Sequence, residues 1–479
     1  MLQRITSFLL LFSFIVSCAV NPVTGKRELS LISEEREIAM GKEYDPQISQ
    51  MYGVYDDEKL LKYVDDLGQR MAKISHRSHL KYEIKVMDSP VINAFAVPGG
   101  YVYFTRGILA YLNSEAELAG VMGHEIGHIT AKHSVSQQSK AQLAQIGLGL
   151  GSVLVEGFDQ YAGLAQQATG LLFLKFGRDD ETQSDKLGVE YSTKIGYDSH
   201  YMANFFNVLD KMHSSSGNSL PNFLSTHPNP ADRVVKVNKQ TDKWQKKLPG
   251  KSFVVNRDKY LNQINGIVFG PDPRQGFVEN NNFYHPGLKF QFPTPEGWNV
   301  NNLPSQVQMV AADEQGVMVF KLEPTDNQKQ AATTFITNAK LTVESQKSVK
   351  VHGENAEEVI GTVQTQNGVL KLMVYFIKKG KNVYSFLGYS STQGFVTYQP
   401  AFKATMTGFK TLTDRNKINR QPDRIRIKKV TRGSSLKDAL KKLGVKDEDL
   451  EQHALLNGAM ALSDNVKANM LLKIIEKGK

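Results

Sequence analysis

Val121-Met122-Gly123-His124-Glu125-Ile126-Gly127-His128 is the stretch around which the chain is organised. A helix turns roughly 100° per residue, so side chains four apart stand above one another on one face. His124 and His128 can therefore put two imidazole nitrogens on a single divalent ion. Glu125, one step round, can hold a water on that ion without binding it. This is the H-E-x-x-H arrangement, in which the glutamate acts as general base. The helix is announced locally: Ser114 and Glu117, three apart, read as a capping box, and Ala116, Leu118, Ala119, Val121 and Met122 supply buried positions ahead of the histidines.

A catalytic zinc takes three protein ligands and keeps one position for water. His133 is near in sequence, but five residues past His128 carries it off the ligand face of a helix. The longer H-E-x-x-H-x-x-G-x-x-H pattern is absent. Phe176-Gly177-Arg178-Asp179-Asp180-Glu181-Thr182-Gln183-Ser184-Asp185 opens a second helix, with Glu181 and Asp185 on one face. By spacing alone the pair reads in two ways. Glu181 is a third ligand and Asp185 a hydrogen-bond partner of a ligand histidine, or both belong to a solvated acidic face.

H-E-I-G-H followed some fifty residues later by E-T-Q-S-D resembles the HtpX-like and CAAX-prenyl-protease-like zinc metallopeptidases, peptidase family M48, whose pattern is H-E-x-x-H then E-x-x-x-D. Asn93-Ala94-Phe95 through Gly107, Asn21-Pro22-Val23-Thr24-Gly25 and Ser225-Thr226-His227-Pro228 are similar to that family as well, and the likeness spans residues 20–250. It is greatest for the exported bacterial members. The resemblance implies one Zn2+ per chain held by His124, His128 and Glu181, with Glu125 as catalytic base and Asp185 behind a ligand histidine. It also implies a mainly helical gluzincin fold with a small sheet. The chain departs from the integral-membrane members in lacking their membrane helices, and no helical repeat follows the peptidase segment.

Further roles are assigned around this centre. Pro98-Gly99-Gly100 is a turn, and Tyr101 to Phe104 is strongly strand-forming. Gly100, Tyr101, Val102 and Tyr103 are expected at the sheet edge that pairs with an extended substrate backbone; the alternative is an interior hairpin strand. His227, on a proline-bounded loop, is nominated to stabilise the oxyanion. A second possibility is that this loop swings in and His227 fills the open zinc position. Arg233 positions the loop or pairs with Asp185, or makes an ordinary surface ion pair. Ala141 to Leu174, rich in Gly, Ala and Leu, is expected to form a helical hairpin.

At the start of the chain, Arg4 precedes an apolar run from Ile5 to Val16 that is too short to span a bilayer. Residues 1–17 read as a signal peptide. Ile15-Val16-Ser17-Cys18 resembles a bacterial lipobox, which implies cleavage before Cys18 and lipid on its sulfur; the alternative is an ordinary signal peptide. Cys18 is the only cysteine, so no intrachain disulfide can form. The expectation is an exported protein, lipid-anchored in the bacterial envelope, with Ala19 leaning towards the outer membrane facing the periplasm. A formal charge of +10 suits a solvated basic surface among anionic envelope polymers. No nucleic-acid motif is present.

The peptidase segment is set at 18–270, and Gly270-Pro271-Asp272-Pro273-Arg274-Gln275-Gly276 marks a boundary. Residues 280–413 read as an α+β domain on an antiparallel sheet, with strands at Leu288–Phe292, Val307–Ala311, Val317–Leu322, Val369–Ile377 and Val383–Tyr389. Helices are expected at Gln330–Ala339 and Tyr398–Thr407. Phe292-Pro293-Thr294-Pro295-Glu296-Gly297-Trp298 is similar to the start of PsbP-type domains. Asp414 to Arg424 reads as a linker, and 424–479 as a small βααβ tail that resembles a LysM module, which implies contact with peptidoglycan. The fold class is thus α+β multidomain. The expected function is zinc-dependent cleavage of unfolded or misassembled envelope proteins; the alternative is a non-catalytic, chaperone-like or peptidoglycan-associated lipoprotein.

Overall fold

The computed structural model describes residues 18–147, 176–215, 222–227, 232–365, 368–458 and 460–478. The expected signal peptide, the side chain of Cys18 and most of the expected hairpin at Ala141–Leu174 lie outside the described residues. A short antiparallel pair, β1 (Cys18–Val20) and β2 (Arg27–Leu29), comes first. It is followed by α1 (Glu34–Tyr52), capped by the Ser33 side chain, and α2 (Glu58–Ala72), capped by Asp57. Acidic residues fill the first turn of α1, where the helix dipole favours them.

Strands β3 (Glu83–Met87), β4 (Ala94–Val97) and β5 (Tyr101–Thr105) form a sheet in the order β3-β5-β4. β5 runs parallel to β3 and antiparallel to β4. Successive side chains on a strand alternate faces. Tyr101 and Tyr103 accordingly pack under Met40, Tyr44 and Ile48 of α1, while Val102 and Phe104 join the main core.

Helices α3 (Arg106–Tyr111), α4 (Glu115–Thr130) and α5 (His133–Gly147) follow. All of α4 is buried. Ser114 Oγ accepts from Glu117 N–H at 3.1 Å, and the Glu117 carboxylate accepts from Asn113 N–H at 2.7 Å, one residue earlier than the expected capping box. Next come α6 (Arg178–Lys194), α7 (His200–Ser215), α8 (Asn222–Thr226), α9 (Arg233–Lys246) and α10 (Arg257–Gln263). α4 lies against α6 along a seam of small residues. A Cβ added to Gly127 would stand 3.3 Å from the Cα of Ser184, and one added to Gly188 3.1 Å from the Gly120 oxygen. This approach lets short acidic side chains on α6 reach the imidazoles of α4.

Beyond Gly276, β6 (Phe277–Glu279), β7 (Asn282–His285) and β8 (Phe290–Pro293) open a small antiparallel sheet. A seven-stranded antiparallel sheet is built from β9 (Asn299–Leu303), β10 (Gln306–Val310), β11 (Val317–Glu323), β12 (Thr342–Val351), β13 (Glu354–Thr365), β14 (Gly368–Lys379) and β15 (Asn382–Ser391), in the order β12-β13-β14-β15-β11-β10-β9. Helix α11 (Gln328–Asn338) covers one face. Helix α12 (Phe395–Thr407) covers the other, where Phe290, Phe292, Phe320, Phe386 and Phe402 pack together. β16 (Lys410–Thr411) closes the small sheet beside β8.

The stretch expected to be a linker carries α13 (Arg415–Ile418). The tail contains β17 (Arg424–Lys429), β18 (Ser434–Ser435), α14 (Leu436–Lys442), α15 (Leu450–Leu456), β19 (Asn465–Val466) and β20 (Leu471–Glu476). β17 pairs antiparallel with β20. The tail does not stand apart: Ile425, Leu456 and Ile475 belong to the same core as α2, α4 and α7. Gly266 N–H donates to Ile425 O at 2.8 Å, and Ile425 N–H to Ile267 O at 2.9 Å. Lys473, fully buried, donates from Nζ to Ala110 O and Leu112 O at 2.8 and 2.9 Å.

Candidate metal centre

One turn of α4 sets His124 above His128, and their Nε2 atoms stand 3.0 Å apart. From α6, Glu181 brings Oε1 to 3.4 Å from His128 Nε2 and Oε2 to 3.6 Å from His124 Nε2. His227, immediately after α8, brings Nδ1 to 3.3 Å from His124 Nε2 and 2.9 Å from Glu181 Oε1. All four residues are buried, and one donor atom from each lies within 4.8 Å of the others.

This geometry fits a metal ion. Four ligands bound tetrahedrally at about 2.0–2.1 Å have donor atoms roughly 3.3 Å apart, close to the separations found here. The protonation pattern agrees. Asp185 Oδ1 faces His124 Nδ1 at 2.9 Å, which puts the His124 proton on Nδ1 and leaves Nε2 a bare lone pair. A lone pair aimed at a carboxylate and two imidazoles, all buried, calls for a cation. Unsatisfied atoms complete the picture: both Glu125 oxygens are buried without a hydrogen-bond partner, and Glu181 Oε2, also without one, faces Arg233 Nη1 at 3.3 Å.

The charges are arranged around the same point. Burial pushes the Glu125 carboxyl above the usual carboxylate range. Burial alone raises Glu181 too, but the facing His227 and His124 hold it well below. Burial drives His128 well below the ordinary histidine value, towards the neutral form a ligand needs. Asp185 is held low against its burial by Arg233, which donates from Nε to Oδ2 at 2.8 Å and from Nη2 to Oδ1 at 2.7 Å. Arg233 is itself buried, with its guanidinium over the Phe206 ring, so it is not a surface ion pair.

The structure thus brings together His124, Glu125, His128, Glu181, Asp185, His227 and Arg233. It does not bring Gly100, Tyr101, Val102 and Tyr103 to a sheet edge. β5 is the central strand, paired on both sides and wholly buried. Strand propensity identified a strand there but could not tell an inner one from an outer one. β3 and β4 are the outer strands, and β4 is the one that packs beside α4. Thr105 N–H donates to Asn93 O at 3.0 Å. The alternation of an antiparallel ladder then turns the N–H and C=O of Ala94 and Ala96 outward. A small cleft bordered by Val97, Pro98, His128 and Lys132 opens at the end of that strand.

Sequence reasoning also missed His133. It is not among the ligands, in keeping with its spacing, yet its Nδ1 lies 3.0 Å from His128 Nδ1. The cause is Lys132, whose φ of 58° ends α4 in a left-handed turn and folds His133 back behind His128. A glycine there would have signalled the turn; a lysine does not.

Comparison with known proteins agrees with the geometry. The family described as Peptidase family M48 matches residues 58–241. The beta-barrel assembly-enhancing protease of Escherichia coli is 32% identical over 235 residues, 46% of this chain and 47% of that protein. The mitochondrial metalloendopeptidase OMA1 of Arabidopsis thaliana is 29% identical over 198 residues, 41% of this chain and 39% of that one. The chain therefore spans about half the length, or less, of these relatives. The solution structure of a cyanobacterial PsbP from Synechocystis covers 27% of this chain and 91% of its own at 10% identity, with a TM-score of 0.24, too slight a likeness to assign a fold.

Proposed function

We propose, from the premise that the chain carries a peptidase family M48 domain over residues 58–241, that the protein is a zinc-dependent endopeptidase of the bacterial envelope. The observation that carries this reading is the convergence of His124 Nε2, His128 Nε2 and Glu181 on one buried point, with Glu125 beside it and without a hydrogen-bond partner.

Zinc bound there supplies a Lewis acid that polarises a peptide carbonyl and brings the pKa of a water near neutrality. The remaining work belongs to the chain. Glu125 takes the proton of the attacking water and returns it to the departing amine nitrogen. Asp185, gripped by Arg233, keeps the His124 ring turned with its lone pair inward. The outward amides of Ala94 and Ala96 hold an extended peptide by its main chain, which suits a protease that reads little sequence.

Two roles remain distinct for His227. Its Nδ1 lies inside the ligand set, which supports a resting form in which it closes the fourth position. Withdrawn from there, the same side chain is placed to donate to an oxyanion.

Envelope residence is supported by the apolar run from Ile5 to Val16 and the lipobox-like Ser17-Cys18. Anchoring is assigned to lipid on Cys18, on the lipobox-like sequence before it; no helix among the described residues is long and apolar enough to cross a membrane. The Escherichia coli relative is named for enhancing beta-barrel assembly; for this chain, unfolded or misassembled envelope proteins are the proposed substrates. The βααβ order of the tail supports a LysM-like contact with peptidoglycan. The test is metal analysis of the purified protein together with casein cleavage by wild type and Glu125→Gln. One zinc in both and turnover only in the wild type is expected; metal-free protein or an active Glu125→Gln sinks the reading.

A further inference from the structure

We propose that His133 is a positioning residue that fixes the tautomer of His128, so that its Nε2 lone pair faces the metal. This rests on the metal-centre reading above and extends it to a residue outside the ligand set.

The argument is a chain of donors and acceptors. His133 is buried, and its Nε2 faces two oxygens: Gln183 Oε1 at 3.0 Å and Asp180 Oδ1 at 3.7 Å. Asp180 is held in place because its Oδ2 accepts from Gln137 Nε2 at 2.9 Å and from Gly177 N–H at 3.1 Å. Both groups facing Nε2 accept, so the neutral ring carries its proton on that nitrogen. Nδ1 is then a bare lone pair. It lies 3.0 Å from His128 Nδ1, which must donate, with the Ser184 hydroxyl a second donor at 3.3 Å. A His128 proton on Nδ1 leaves Nε2 bare, aimed at Glu181 and His124. The opposite order would put a proton on His128 Nε2, in the middle of the donor set, and block it.

The two ligand imidazoles are thus oriented by different means from one helix. α6 holds His124 directly, through the carboxylate of Asp185. It holds His128 at one remove, through Gln183 and the His133 ring. A neutral relay spares the site a further anion beside Glu181 and Asp185. It also requires the left-handed turn at Lys132, which alone brings position 133 behind position 128.

The test is zinc affinity rather than turnover. Apo-protein is titrated with Zn2+ in competition with a chromophoric chelator, and the melting of each apo-variant is recorded alongside. His133→Leu is expected to bind zinc about 10–100-fold more weakly, while His133→Asn, whose amide oxygen can stand where Nδ1 stood, stays within about threefold of wild type. Gln183→Leu, half-buried on α6, provides a second arm should His133→Leu fail to fold: it weakens binding in the same direction, and Gln183→Glu, which keeps the acceptor, restores it. Wild-type affinity in His133→Leu or Gln183→Leu overturns the proposal, as does an Asn variant as weak as the Leu variant with unchanged melting. A wild type that binds no zinc overturns the metal reading as well, so the two failures are told apart.

Discussion

Gly123 of α4 and Gly188 of α6 meet backbone to backbone: a Cβ added to Gly123 would stand 2.9 Å from the Gly188 Cα. The Gly188 backbone is not a flexible side-chain end, so the helices must part if Gly123 gains a methyl. Gly123→Ala is expected to lower stability by about 1–3 kcal/mol. It should also draw Glu181 away from the imidazoles, so zinc content falls along with the melting temperature. Calorimetry and metal analysis on the same preparation check this; full zinc occupancy in a destabilised variant would detach the seam from the site.

His227 admits two outcomes of opposite sign. If it closes the fourth position at rest, His227→Ala raises casein cleavage several-fold. If its main task is to donate to the oxyanion, the loss should be about 10²–10³ in kcat. The ligand-range distance of 2.9 Å to Glu181 makes the rise the expected result, and initial rates on casein decide.

Asp185→Asn removes the charge that Arg233 and His124 share. Zinc affinity should drop about 10–100-fold, and the apo-protein should lose stability because buried Arg233 loses its main anionic partner. Competition titration measures the first effect and thermal melting the second.

The open edge of β4 can be blocked without touching the metal. The Ala96 N–H points away from β5, so Ala96→Pro removes a donor only on the outer side, where proline is tolerated. KM for unfolded protein should rise while kcat and zinc content hold. An unchanged KM would show that substrate does not use that edge.

Away from the site, burial lowers His285 to about 4, and its Nδ1 accepts the Leu288 N–H at 3.1 Å. A folded pKa below the unfolded value of about 6.5 means the contribution is complete above pH 6.5 and is lost as pH falls through 4. The sheet carrying His285 should therefore weaken by up to about 3 kcal/mol across that window. His285→Asn, which can accept the same hydrogen bond without titrating, should flatten the pH dependence of melting between 6.5 and 4.

Much of the site was legible because helical spacing is rigid: four residues are one turn, so His124 with His128 and Glu181 with Asp185 could be paired on paper. What brings the two helices into register was not, because Gly120, Gly123, Gly127 and Gly188 read as poor helix formers until their close approach is seen. Strand β5 was found, but its inner place was not. β12 and β13 escaped because their polar, charged sequences hide the alternation. The available signal was His352-Gly353, which turns between them with φ of 48° and 88°, the signature of a tight hairpin. The tail's elements were visible and its docking was not, since a buried lysine looks like any other in sequence.

That docking bears on the order in which the centre is completed. The loop that leads into α4 is completed by Lys473, 363 residues beyond Ala110. Contacts between such distant parts of a chain form late. A polypeptide that ends before β20 therefore contains every residue of the donor set yet lacks the two Lys473 contacts, to Ala110 O and Leu112 O, just ahead of α4.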